Sequence, residues 1–148
     1  MEIKRTNSED SDFKILVALL DKYLSISDGD EHAFYDQYNK VDGIKHVVVY
    51  YEGEKAIGCG AFKPFEIKTV EIKRMFVLTE YRGRGFAANI LIHLERWASD
   101  LGYTKTVLET GKKQHEAIGL YQKSGYKIIP NYGQYANVEN SVCMSKQL

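Results

Sequence analysis

One short segment carries most of the chemistry legible in this chain. It is Arg82-Gly83-Arg84-Gly85-Phe86-Ala87, lying between a strand pattern that ends near Leu78 and the strongest helical pattern in the sequence. Two glycines allow unusual backbone angles and close approach of a ligand to the main chain. A helix starting just after them presents unpaired N–H groups and a partial positive charge. Together these make an anion site, with phosphate as the natural occupant. Arg82 and Arg84 add charge-assisted contacts. The plain alternative is an ordinary strand-to-helix connection with solvated arginines. No Lys-Ser/Thr follows the glycines, so this is not a P-loop. Gly83, Gly85 and Ala88 also fit the spacing of a dinucleotide-binding loop, with Glu109 where a ribose-binding acid would stand. Against that reading, Thr79 to Arg82 separate the strand from the first glycine. That strand also carries Glu71, Lys73 and Arg74.

Three further side chains could move protons. Glu71 falls on the strand pattern Val70–Leu78, and Glu109 on the next one, Thr104–Glu109. Tyr121 lies on the apolar face of a short helix pattern, Glu116–Ser124. A glutamate inside a sheet is unusual, because burying a charge costs free energy unless it is paired. The structural alternative is a salt bridge of Glu71 with Lys73, or a structural hydrogen bond for Glu109. Tyr121 read alone is a core tyrosine packing through its ring.

The remaining elements follow from periodicity. Glu2 to Arg5 reads as a short strand. Phe13, Leu16, Val17, Leu20, Tyr23 and Leu24 have helical spacing behind N-cap candidates in Ser8–Asp12. Ser25 to Asp30 reads as a polar break, and His32 to Tyr38 as a short helix. His46–Tyr51 and Ala56–Phe62 are strands joined by a turn at Glu52-Gly53-Glu54. In Val70–Leu78, alternation puts Val70, Ile72, Arg74 and Phe76 on one face. Glu71, Lys73, Met75 and Val77 take the other. From Gly85, the apolar stripe Phe86, Ile90, Leu91, Leu94, Trp97, Ala98 and Leu101 marks a helix packed on a sheet. Tyr126–Ile129 and Ser141–Lys146 are two final strands. The expected fold is mixed α/β: a mostly antiparallel twisted sheet of six to seven strands flanked by about four helices, in one domain over residues 1–148.

Composition narrows the function classes. The chain has 148 residues, with 20 Lys+Arg against 20 Asp+Glu. That balance argues against a nucleic-acid binder that works by counterion release. No apolar run approaches the ~18 residues that read as a membrane span, and no secretory signal is visible, so a cytoplasmic location is expected. Two cysteines, Cys59 and Cys143, are too few for a disulfide framework and read as buried thiols. The four histidines share no metal-ligand spacing, so no metal site is expected. Edge strands near the C-terminus could pair between subunits in a homodimer.

The motifs taken together resemble the GNAT N-acetyltransferase superfamily. Arg82-x-x-Gly85-x-Ala87 is similar to its R/Q-x-x-G-x-G/A motif, and Glu71-Ile72-Lys73-Arg74-Met75-Phe76-Val77 looks like its fourth strand. Leu108-Glu109, followed by Ala117, Leu120, Tyr121, Lys123, Gly125 and Tyr126, resembles its A-x-x-L-Y-x-K-x-G-F segment. Gln114 stands where the family most often has Asn, and Tyr126 where it has Phe.

The resemblance implies acetyl-CoA as cosubstrate. The backbone from Arg82 through Gly83, Arg84, Gly85 and Phe86 to Ala87 would cradle its pyrophosphate, with Gln114 as a further contact. Met75, Phe76 and Val77 would pair with the pantetheine arm, one of their N–H groups stabilising the oxyanion. It also implies that the Tyr121 hydroxyl reaches the coenzyme sulfur. Glu71 matches the base of one branch of the family and Glu109 that of another. The chemistry demands such groups. An attacking amine with pKa near ~10 must lose a proton, and a departing thiolate of pKa about 8.5 must gain one. The expected reaction is acetyl transfer to a small-molecule or peptide amine, with a small amine or amino-acid-like compound preferred. A non-catalytic acyl-CoA-binding module is the alternative. The acceptor pocket would draw on Asp28, Asp30, Glu31, Tyr35 and Tyr38, and on Asn131, Tyr132, Gln134, Tyr135 and Asn137.

Overall fold

A computed structural model describes residues 2–28 and 43–148. The β-branched and aromatic runs form seven strands: β1 (Glu2–Thr6), β2 (His46–Glu52), β3 (Lys55–Glu66), β4 (Thr69–Val77), β5 (Lys105–Gly111), β6 (Lys127–Ile129) and β7 (Ser141–Gln147). The helical stripes form α1 (Ser11–Asp28), α2 (Phe86–Asp100) and α3 (His115–Lys123). The sheet order is β1-β2-β3-β4-β5-β7-β6. Among the described strands, only β4 and β5 run parallel. This is the mixed, mostly antiparallel sheet expected, with three helices among the described residues. The helix expected at His32–Tyr38 lies outside them.

Helix α1 is capped by Asp10, whose Oδ1 accepts from the Phe13 amide at 3.0 Å. It runs past the expected break at Ser25. There the serine hydroxyl donates to the Lys22 carbonyl at 2.8 Å, which satisfies it inside the helix. Phe13, Leu16, Val17 and Leu20 of α1 pack on Val47, Val49, Cys59, Ala61 and Phe76, one face of the sheet. On the other face, Ile90, Leu91, Leu94 and Ala98 of α2 pack on Val48, Ile57, Phe62, Val70, Ile72 and Leu108. Gly58 and Gly60 permit this approach. A Cβ on Gly60 would stand 2.6 Å from Met75 Sδ and 2.8 Å from Leu94 Cδ1. Both cysteines are free and buried. Burial pushes the Cys59 thiol up to about 12 and Cys143 up to about 11.

The middle of β4 departs from regular alternation. Cys59 pairs with Phe76, but Ala61 pairs with Lys73, so two steps on β3 face three on β4. The extra residue is a bulge at Arg74, which has φ 57°. One inserted residue reverses the faces beyond it. Met75 and Val77 therefore join Val70 and Ile72 on the α2 side, and Phe76 packs under α1. Arg74 reaches Asp21 on α1. The expected alternation holds only as far as Lys73.

Beyond Glu71 the parallel ladder stops. β4 and β5 pair at Thr69↔Lys105, Val70↔Thr106 and Glu71↔Val107. β5 stays paired with β7 as far as Gly111↔Ser141, and β4 stays paired with β3. A wedge opens between the two strands, with one edge of each left unpaired.

Candidate active site

The wedge is a cavity of about 970 Å³. Residues 72–77 of β4 form one wall, and 108–111 of β5 with Gln114, Ala117, Leu120 and Tyr121 form the other. Leu20, Tyr23 and Leu24 of α1 line it as well. At one end lie Arg82, Gly83, Gly85, Phe86 and Ala87. The structure thus brings together Met75, Phe76, Val77, Arg82, Gly83, Gly85, Phe86, Ala87, Glu109, Gln114 and Tyr121. Arg84 and Glu71 are not part of this wall. The Arg84 guanidinium lies 5.5 Å from the Tyr81 ring centroid.

The glycine loop has the form an anion needs. A single 3-10 turn (Thr79–Tyr81) leads from β4 into it. Gly83 and Gly85 take φ 78° and 84°, a region that strains other residues. Gly85 is the N-cap of α2, which has no side-chain cap and no acid in its first turn. The first amides of a 15-residue helix are thereby left to a ligand. A Cβ at either glycine would meet nothing within 4 Å, so the space over the loop is open. Arg82 Nε donates to the Val77 carbonyl at 2.9 Å, which ties the loop to the end of β4. Its guanidinium lies 5.0 Å from the Tyr23 ring and 5.5 Å from that of Phe76. The Tyr23 hydroxyl donates to Gln114 Oε1 at 3.3 Å, so Tyr23 spans both walls of the wedge.

Deeper in, the two glutamates differ. Glu71 accepts from the Tyr132 hydroxyl at 2.6 Å and lies 3.6 Å from Lys73 Nζ and 3.9 Å from Lys63 Nζ. Its side chain is only 3% exposed. The salt bridge to Lys73 weighed from sequence is present. Glu109 accepts from Ser141 Oγ at 2.7 Å and faces the cavity. Tyr121 is buried, and burial, then the Glu109 carboxylate, holds its hydroxyl above the usual phenol range. Burial likewise pulls Lys73 below the usual amine value, opposed by Glu71.

The loop before β7 does not form a cavity wall. Asn131 Nδ2 donates to the Val138 and Ser141 carbonyls at 3.0 Å each, Tyr132 holds Glu71, and Tyr135 is 1% exposed. Of the other acceptor-pocket candidates, Asp30, Glu31, Tyr35, Tyr38 and the side chain of Asp28 lie outside the described residues. Sequence reasoning missed Tyr23, Lys73 and Arg74 as cavity residues. The one available signal was two adjacent cations inside a buried nine-residue strand.

This arrangement is not a dinucleotide fold. The described residues hold one parallel strand pair, and residues 78–85 intervene between β4 and α2. Among the described residues, no group of three or more His, Cys, Asp or Glu could hold a metal ion. No helix there is long and apolar enough to cross a membrane.

The sequence model of the acetyltransferase (GNAT) family matches residues 13–126, from α1 through both motif segments. The chain belongs to the GNAT family. It is 33% identical over 100 residues to the uncharacterized N-acetyltransferase YsnE of Bacillus subtilis (strain 168). That match covers 66% of each chain, so about two thirds of YsnE's length is spanned. Among solved structures, one from Klebsiella pneumoniae subsp. pneumoniae MGH 78578, provisionally named an acyl-CoA N-acyltransferase, superposes with TM-score 0.83 at 26% identity. It covers 99% of this chain and 97% of that one. A GNAT family acetyltransferase from Elizabethkingia anophelis, with acetyl-CoA bound, shares the fold at TM-score 0.73 and 19% identity, covering 99% and 97%. The expectation of a GNAT acyltransferase is thereby borne out. One departure from the family pattern has a structural reason. The Tyr126 hydroxyl accepts from Thr106 Oγ1 at 2.7 Å and donates to Glu95 at 2.8 Å, and Lys146 Nζ is 3.0 Å from the same carboxylate.

Proposed function

We propose that this protein transfers an acetyl group from acetyl-CoA to a primary amine by direct attack. The observation that carries the reading is the wedge itself. It gathers a side-chain-free helix N-terminus, an unpaired strand edge, a carboxylate and a phenol around one cavity. The amides of 83–87, with Arg82, suit the diphosphate. The open edge of Met75–Val77 suits an extended amide-bearing arm, because a strand edge left unpaired is a ready template. The acetyl-CoA bound by the Elizabethkingia protein on the same fold supports this choice.

Glu109 takes the proton that the acceptor ammonium must lose, directly or through one water, since it faces the cavity. Glu71 acts behind it, holding Lys73 in place. Tyr121 serves the sulfur. A phenol is a weaker acid than a thiol, near ~10 against about 8.5. Its main action is therefore a hydrogen bond to the sulfur as charge builds there. In the full step an N–C bond forms and the C–S bond breaks. The ammonium loses two protons in all: Glu109 passes the first to solvent before attack, and the second, lost from nitrogen as the C–S bond breaks, balances the one that sulfur gains through Tyr121.

A thiol-release assay with acetyl-CoA and a panel of amines tests the reading. Turnover with at least one amine, reduced by ~10²-fold or more in Tyr121→Phe, is expected. Tight coenzyme binding without transfer to any amine would favour the binding-module alternative. Full turnover by Tyr121→Phe would remove the assigned acid.

A further inference from the structure

Tyr23 stands three residues after Leu20 on α1, yet it is 40% exposed and does not join the cluster that seats this helix on the sheet. Its contacts lie across the mouth of the wedge. The Arg82 guanidinium is 5.0 Å from its ring, and its hydroxyl donates to Gln114 Oε1 at 3.3 Å. Gln114 is the N-cap residue of α3, but its side chain makes no capping bond to that helix. One side chain thus joins α1, the glycine loop and the start of α3.

Arg82 is held on three sides. Its Nε bonds to the Val77 carbonyl, and the rings of Tyr23 and Phe76 flank its guanidinium. Among the described residues its two terminal nitrogens make no hydrogen bond or ion pair. Fixed donors with nothing yet to bond are what an incoming diphosphate needs, because little freedom is lost on binding. Phe76 is anchored in β4, whereas Tyr23 reaches Arg82 from another element. Its bond to Gln114 then crosses from the α1 wall to the β5–α3 wall. A single exposed hydrogen bond is weak, so this link can open to admit a ligand and close behind it.

We propose that Tyr23 retains the coenzyme through two separate actions. Its ring backs Arg82 against the diphosphate. Its hydroxyl, joined to Gln114, straps the extended arm into the wedge. Tyr23 is a positioning residue here, since it acts through Arg82 and Gln114 and touches no reacting atom. The inference rests on the acetyl-transfer reading of the same cavity. It also gives Gln114 a reason to differ from asparagine, whose amide is one methylene shorter and falls short of Tyr23.

The test is calorimetric binding of CoA to the full chain, read whether or not acetyl transfer occurs. Tyr23→Phe keeps the ring and removes the strap, and should weaken CoA by about 2- to 10-fold. Tyr23→Leu removes both and should weaken it by about 3- to 10-fold further. Two double-mutant cycles assign these losses. In a Gln114→Asn background, Tyr23→Phe should have no further effect. In an Arg82→Ala background, the leucine and phenylalanine variants should bind CoA alike. In turnover the loss should fall on KM for acetyl-CoA rather than on kcat, which general damage to the fold would lower. CoA that binds equally well or more tightly after both Tyr23 substitutions would overturn this inference and leave the acetyl-transfer reading standing. Additive cycles would likewise overturn it, because Tyr23 would then not act through Gln114 and Arg82. Failure of CoA to bind the unaltered chain would overturn the acetyl-transfer reading, and this inference with it.

Discussion

Tyr132 donates its hydroxyl to Glu71 at 2.6 Å, and this bond separates two glutamates that stand equal in the sequence. Glu71 is enclosed by Tyr132, Lys73 and Lys63, while Glu109 lines the cavity. Glu109→Gln is therefore expected to lower kcat/KM for the amine by about 10²-fold or more, with little change in stability. Glu71→Gln leaves Lys73 buried without its closest countercharge. Breaking a buried pair in this way costs about 3 kcal/mol or more, so a fall in the unfolding midpoint should dominate. Steady-state kinetics and urea unfolding on both variants check the assignment. The reverse pattern would exchange the two roles.

The pH dependence of turnover has a definite sign. The neutral phenol of Tyr121 is the form that donates. Burial, then Glu109, raises its pKa, so that form persists through the usual phenol value of ~10. The acceptor must lose a proton, so kcat/KM for the amine rises with pH. A rise from pH 6 to 9 with no descending limb below about pH 10 is expected. A descending limb near pH 8 would point to a different acid.

Gly85 should resist substitution for a conformational reason. Its φ of 84° costs an alanine roughly 1–2 kcal/mol, although the Cβ would meet nothing within 4 Å. Relief of that strain would turn the first amides of α2 away from the cradle. Gly85→Ala is expected to weaken CoA binding by about tenfold, read by calorimetry. Unchanged affinity would show that these amides do not hold the diphosphate.

Gly60 fails for the opposite reason, which is crowding. A Cβ there stands 2.6 Å from Met75 Sδ and 3.0 Å from Ile90 Cγ2. Gly60→Ala should destabilise the fold by about 1–3 kcal/mol through overpacking between β3 and α2. An unchanged midpoint in chemical denaturation would mean that α2 can shift freely.

Much of this arrangement was legible in the residues. Periodicity located the strands and helices, because β-branched runs and 3.6-residue stripes report burial directly. The loop Arg82–Ala87 declared itself by its glycines. The β4 bulge did not, because Arg74 has no intrinsic tendency toward φ 57°. Tertiary contacts impose that conformation, and with it the reversal that moves Arg74 and Phe76 under α1. Nor could the glutamates be told apart. Tyr132 is 61 residues from Glu71, and Ser141 is 32 from Glu109. Such long-range partners leave no local trace. Tyr126 shows the same limit, since its partner Glu95 lies 31 residues away on α2.

On the acetyl-transfer reading, coenzyme fills the wedge between β4 and β5, with its diphosphate on the amides after Gly83. A crystal structure of the CoA complex tests this most directly. Phosphate oxygens are expected within hydrogen-bond distance of the 83–87 amides, the arm along Met75–Val77, and sulfur beside the Tyr121 hydroxyl. Coenzyme bound at another surface, or sulfur directed away from Tyr121, would contradict it.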